Sequence, residues 1–376
     1  MTWFAITFST LMSVLLAALL YAMPSITRPT LPLGVSVPQA RVDDPVISAS
    51  VRRYRRWVLA SLVLGVVLSF VLGTVAPTVG TIVPVLLVTV LGMGSYTVTR
   101  DSIARAKREG GWYDDVPVRL AADVSAPRHS APIPFGWYLV SAVLLATAAG
   151  VGVAVYPGLP DPLPIHWGLN GVADGYAAKS VWSVFGIVLV GLGVVALLFA
   201  LSFLVRVAPP RRLTSDSPEL AAQRAEAQQH LLGALLGHIT LIVSIVLAAL
   251  TIVGWLAPGS GELFLAAGVL FIVLLAAAIA TFFVRYRRAV VLQPVGLTEP
   301  AHPAAAAVDA PDDDSFWKAG IFYVNRRDPA LLVPKRFGVG WTVNLGHPAG
   351  AAIGIVILLI IVGAVLLAIV SPGLRH

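Results

Sequence analysis

The chain has no cysteine in its 376 residues. Disulfides, thiol catalysis and cysteine-ligated metals are therefore excluded. Charge is scarce as well. Asp, Glu, Lys and Arg make up only 12% of the chain, against about 25% in an ordinary soluble domain. Catalytic signatures are missing too: no H-E-x-x-H, G-x-S-x-G, P-loop or G-x-G-x-x-G pattern occurs. The sequence predicts a non-enzymatic protein with no cofactor and no bound metal. What is abundant is apolar. Hydrophobic residues reach 57% and mean hydropathy is +0.86. A soluble core of this size could not hide that much apolar surface, but lipid can.

A bilayer core of about 30 Å takes about 20 apolar residues as a helix. Eight runs meet that length, near 2–23, 57–76, 79–99, 135–156, 181–205, 231–256, 262–284 and 349–371. Helices are the choice because lipid offers no partner to free N–H and C=O groups. Of the 26 Lys and Arg, all but Lys179 and Arg375 fall in alternate gaps, after the first, third, fifth and seventh runs. Lys and Arg near span ends stay on the cytoplasmic side. The expected fold is thus an all-α integral membrane protein of about eight transmembrane helices, with both termini extracytoplasmic. The basic residues flank spans, which argues against nucleic acid as a partner; the lipid bilayer is the expected one. The first run has no basic residues ahead of it and reads as a retained anchor.

Several spans should continue as helices beyond the lipid. Asp44-Pro45 has the form of an N-cap followed by proline at the first helical position, and Ser217-Pro218 repeats it. Gly110-Gly111 should end the third helix. His238 is the one ionisable side chain well inside a span. It reads either as a histidine bonded between helices near the cytoplasmic interface or as a proton or ligand site. The lack of other charges there argues against a proton pump or a charged filter. Gly150 and Gly152, Gly191 and Gly193, and Gly350 and Gly354 are candidate helix-contact points.

The gap between the fourth and fifth runs is the one sizeable outer loop. Four prolines within eight residues, Pro157 to Pro164, stiffen its entry. Asn170-Gly171 and Asp174-Gly175 are tight-turn pairs. An ordered cap is expected. His166, Asn170, Asp161 and Asp174 form a poor metal set, since a catalytic zinc has three protein ligands. Residues Leu163 to Lys179 resemble the pattern L-P-x-H-[WF]-N-x-x-G-x-x-D-G-[YW]-x-x-K of the family catalogued as domain of unknown function 1648. It is shared with SdpI-type immunity and signal-receptor proteins of Gram-positive bacteria. The matching positions are Leu163, Pro164, His166, Trp167, Gly171, Asp174, Gly175, Tyr176 and Lys179. Gly168 stands where the family often has Asn, and Val172-Ala173 where an acidic residue and proline are common. The ligand-binding set expected from loop and resemblance together is His166, Trp167, Asn170, Gly171, Asp174, Gly175, Tyr176 and Lys179, facing an extracytoplasmic peptide or envelope ligand. A purely structural cap is the other reading.

After the seventh run, residues 300–315 are Ala-, Pro- and Asp-rich and end in Asp312-Asp313-Asp314. They read as a flexible acidic linker. Aromatic and basic residues then interleave up to the last run. Interfacial aromatics with Lys and Arg suit a headgroup layer or a cytoplasmic protein partner. The expected contacts are Trp317, Lys318, Tyr323, Lys335, Arg336 and Trp341. The stretch resembles domain of unknown function 5808, with its core W-K-x-G-x-F-Y-x-N-x-x-D-P and continuation V-P-K-R-F-G-x-G-W-x-x-N. Core positions are Trp317, Lys318, Gly320, Phe322, Tyr323, Asn325, Asp328 and Pro329; the continuation runs Val333 to Gly338, then Gly340, Trp341 and Asn344. Arg28 to Pro38 is similar to a stretch found near the start of related proteins.

Four regions follow: 1–134 with three spans and basic loops, 135–206 with the outer loop, 207–299 as a two-span hairpin with a helical extension, and 300–376 with the linker, the aromatic-basic segment and the last span. The expected function is an immunity or signal-sensing role in the cell membrane of a Gram-positive bacterium. A permease for a neutral or lipid-like substrate and a scaffold of a membrane complex stay open beside it.

Overall fold

The computed structural model describes residues 2–114, 132–167, 173–207, 218–291 and 312–370. Among them run eight α-helices: α1 (Thr2–Ile26), α2 (Pro45–Val75), α3 (Pro77–Glu109), α4 (Phe135–Val155), α5 (Val181–Val207), α6 (Pro218–Leu256), α7 (Gly261–Tyr286) and α8 (Pro348–Val370). The first seven are long and apolar enough to cross a membrane. α8 is an apolar helix of 23 residues. The chain is a multi-pass membrane protein.

Three helices outrun the bilayer, as the capping signals imply. α6 has 39 residues, about 58 Å at 1.5 Å per residue. α2 starts where the Asp44 carboxylate accepts the Val46 N–H at 3.0 Å, with Pro45 in the first turn. α3 stops at Gly110, and Gly111 follows at φ 54°. Ser217 lies outside the described residues.

The helices pack as two three-helix bundles, α1–α2–α3 and α4–α5–α6, with α7 set between α6 and α1. Small residues let backbones approach, because lipid supplies little drive for helices to associate. Gly65 meets Val88, Gly73 meets Ile6 and Gly92 meets Leu20 in the first bundle. In the second, Gly152 meets Trp255 and Phe185, and Gly191 meets Leu145 and Leu247. Gly150 and Gly193 face open space, so only one glycine of each of these pairs is a contact point. Several buried hydroxyls find partners within the bundles: Ser9 with Ser69, Tyr138 with Ser202, and Tyr54 with the Leu20 carbonyl at 2.8 Å. The His238 ring lies against Trp137 of α4, with centroids 4.7 Å apart.

The fold is not purely helical. Three two-stranded antiparallel ribbons stand in the connections: β1 (Leu163–Trp167) with β2 (Ala173–Ala177), β3 (Trp317–Lys318) with β4 (Phe322–Tyr323), and β5 (Leu332–Pro334) with β6 (Trp341–Val343). Strands of two to five residues are too short for a period-two pattern to show. The first ribbon caps one end of the molecule, beside the α6–α7 turn. The other two sit at the opposite, arginine-rich end.

Candidate functional site

At the hairpin end, β1 and β2 pair Leu163 with Ala177 and His166 with Gly175, with register shifts on either side of His166. Leu163 is buried with Leu159 and Val184, against Phe185 and Trp255. Trp167 reaches the α6–α7 turn. Its indole N–H donates to the Pro258 carbonyl at 2.7 Å, and its ring lies 4.7 Å from that of Phe264. Its far edge fits over Gly254, where a Cβ would come within 2.9 Å. Trp167 is therefore an anchor that ties the hairpin to the second bundle.

Lys179 closes the base of the hairpin. Its ammonium donates to the Leu159 carbonyl at 2.9 Å and the Tyr156 carbonyl at 3.4 Å, and its N–H donates to Asp161 at 3.0 Å. Gly175 is small for a steric reason: a Cβ there would sit 2.8 Å from the His166 Cβ. His166 Nδ1 is hydrogen-bonded to the Asp174 carboxylate, and the pair stays open to solvent, at 55% and 50% exposure. Tyr176 is exposed beside it. The structure thus divides the expected set. Trp167, Gly175 and Lys179 hold the hairpin, while His166, Asp174 and Tyr176 present polar and aromatic surface. Asn170 and Gly171 lie outside the described residues. Among those described, no group of three His, Asp or Glu could hold a metal.

At the basic end, residues 312–347 form a small folded module. Asn344, fully buried, is its pivot. Its Oδ1 accepts the Asn325 and Gly346 N–H groups, and its Nδ2 donates to the Asn325, Asp328 and Ala330 carbonyls. The Tyr323 hydroxyl donates to Asp328 at 2.9 Å and accepts from Asn325 at 3.1 Å. Burial pushes the Tyr323 phenol above its ordinary value, and the adjacent Asp328 carboxylate adds to that. Gly320 has φ 70° and lies so close to Tyr96 and Arg100 that a Cβ would meet both at 2.5 Å. The motif residues of this segment are thus largely its own framework.

The module docks on the bundle through Phe337, whose ring is 4.1 Å from Tyr96 and 6.3 Å from Tyr54. The 28–38 loop lies between, with Leu33 and Val35 fully buried. Arg336 is turned inward, with a side chain 3% exposed. It is paired with Asp313 and Asp314, donates to the Gly34 carbonyl and Ser36 hydroxyl, and has its guanidinium 5.1 Å from the Trp317 ring centroid. Lys107 of α3 bonds Asp312 and Asp314 at 2.7 Å each.

Two expectations change here. Trp317, Tyr323 and Arg336 are buried in the module's interior and do not form its exposed surface. Lys318 and Lys335 are exposed, and Trp341 is half-buried. Asp312 to Asp314 close an ion-pair cluster and are no floppy linker; residues 300–311 lie outside the described set. Lys107, Pro258 and Phe264 carry neither motif nor spacing that would single them out, and the Arg28–Pro38 stretch does not mark Ser36 as a partner of the acidic run. The only sequence hint was an acidic triplet in a chain whose basic collar needed counter-charge.

What these two ends define is a multi-pass membrane protein with a pinned hairpin at one end and a folded module at the other. The profile of the Domain of unknown function (DUF1648) matches residues 143–192, which hold the hairpin and the adjoining parts of α4 and α5. That of the Family of unknown function (DUF5808) matches residues 326–350, which hold β5, β6 and the start of α8. No curated protein and no solved structure matches the chain.

Proposed function

We propose that this is a non-enzymatic membrane sensor or immunity-type protein. Its hairpin recognises an extracytoplasmic peptide or envelope ligand. Its basic end lies in the cytoplasm and engages lipid or a protein partner. In this reading α8 is an eighth span, both termini face outward, and the membrane is the plasma membrane of a Gram-positive bacterium. One observation carries the reading: the hairpin strands are anchored by Trp167 and Lys179, yet keep the His166–Asp174 pair open to solvent. Fixed polar groups on a rigid support lose little freedom on binding, which favours recognition. The resemblance to SdpI-type proteins points the same way.

The test separates contact from anchoring. His166→Ala and Asp174→Ala should abolish protection against a peptide toxin, or binding of envelope peptides, at unchanged protein level. Trp167→Ala should do so by releasing the whole hairpin, visible as altered protease sensitivity. Wild-type protection and binding in all three variants would refute the proposal.

A further inference from the structure

The cluster at the basic end has the chemistry of an anion receptor. A guanidinium fork (Arg336), an ammonium (Lys107), the Ser36 N–H and the Ser36 hydroxyl converge on the carboxylates of Asp313 and Asp314. Forked guanidinium, ammonium and backbone N–H donors are the set that binds phosphate oxygens. The cations lie beneath the acids. Lys107 and Arg336 side chains are 6% and 3% exposed, whereas Asp312 and Asp313 are 41% and 42% exposed. The acidic run is therefore the layer nearest solvent.

A third cation stands beside this cluster. The Arg100 side chain is nine-tenths buried, and its Nε has no hydrogen-bond partner among the described residues. Its ion pair among the described residues, to Asp101, is long at 3.8 Å, and that carboxylate is 69% exposed. Gly320 packs against both the Arg100 Nε and the Tyr96 hydroxyl, and Tyr96 interacts with Arg100 on one side and Arg336 on the other, a wall from Arg100 through Tyr96 to Arg336. Buried cations stripped of their counter-ions are strongly unfavourable. If the run lifts, another anion must replace it. Basic collars at this end, Arg52, Arg53, Arg55 and Arg56 on α2, would draw anionic lipid to the place where that anion is needed.

We infer that Arg336, Lys107, Arg100 and Ser36 form a binding site for a phosphate-bearing anion, and that Asp312 to Asp314 occupy it in cis as a displaceable plug. The inference rests on the cytoplasmic placement of the module but not on the hairpin binding anything. Displacement would break the ion pairs from the run to Lys107 of α3 and change the surface the module offers to the cytoplasm.

The absence of cysteine allows a clean test on the full chain in lipid nanodiscs. Spin labels at Ala40→Cys and Ser315→Cys, both exposed and outside the pocket, report the distance between plug and loop. In neutral-lipid discs a single narrow distance is expected. Phosphatidylglycerol in the disc, or inorganic phosphate in solution, should shift part of the population to longer distances. Which of the two succeeds identifies the source of the phosphate. Asp313→Asn/Asp314→Asn should lose the narrow distance without ligand. Arg100→Gln should keep it but blunt the response to anion. His166→Ala should leave every arm unchanged, which separates this site from the hairpin. A distance insensitive to both anions in the acid-intact chain would overturn the proposal, whether or not the double Asn variant folds.

Discussion

Arg336 shows how one side chain can hold two remote segments together. It is 3% exposed and joins the 28–38 loop, through Gly34 and Ser36, to the acidic run, through Asp313 and Asp314. Breaking a buried pair by removing one partner costs about 3–5 kcal/mol, because the stranded charges stay behind. Arg336→Ala should therefore lower the apparent melting temperature in detergent markedly. Arg336→Lys keeps the charge but loses the fork and the stack on Trp317, so it should rescue only part of the loss. Equal melting temperatures for wild type and Arg336→Ala would mean that the cluster does not hold the module. At this scale the sequence was half legible. Trp167 and Lys179 stood out by pattern, but their partners Pro258, Phe264 and the Leu159 carbonyl are ordinary residues whose role exists only after folding. Arg336 was visible as a basic residue among aromatics. Nothing local said that it would point inward, because its counter-ions precede it by over 20 positions and Lys107 lies on another helix.

Helices were legible because lipid enforces length and composition directly. The eight apolar runs and the helices agree closely at most ends, and the Asp44-Pro45 cap and the Gly110-Gly111 stop mark their extensions. The ribbons were not, since their pairing depends on turns and on tertiary contacts more than on strand pattern. The Gly350/Gly354 spacing on α8 shows why a helix motif needs its surroundings. It suggests a helix–helix face, yet a Cβ at Gly350 would meet the Asn344 carbonyl oxygen at 2.0 Å, and one at Gly354 would meet Leu345 at 2.9 Å. Both glycines receive the 343–345 turn of the module. Gly350→Leu should thus overpack this junction and cost on the order of 1–3 kcal/mol. Gly363, with no atom of the described residues within 4 Å of an added Cβ, provides the control: Gly363→Leu should leave the melting temperature unchanged. If instead Gly350→Leu altered crosslinking between copies at unchanged stability, the spacing would serve association and not docking.

For the molecule as a whole, everything depends on which end faces which compartment. Described ion pairs and the basic collars concentrate at the module end, while the hairpin end carries Lys179 as its described basic residue, spent on carbonyls of its own loop. Lys and Arg near spans are retained in the cytoplasm, so that end should face inward and the hairpin outward. Single cysteines on the cysteine-free chain decide this. Tyr176→Cys, on the exposed face of β2, should react with an impermeant maleimide in intact cells. Lys318→Cys, exposed on the module, should react only after the membrane is opened. The two sites are joined by α5, α6 and α7, each long and apolar enough to cross a membrane; three crossings, an odd number, would place them on opposite sides. Labelling of both from outside would require one of those helices not to cross, and would remove at once the outward hairpin and the inward plug.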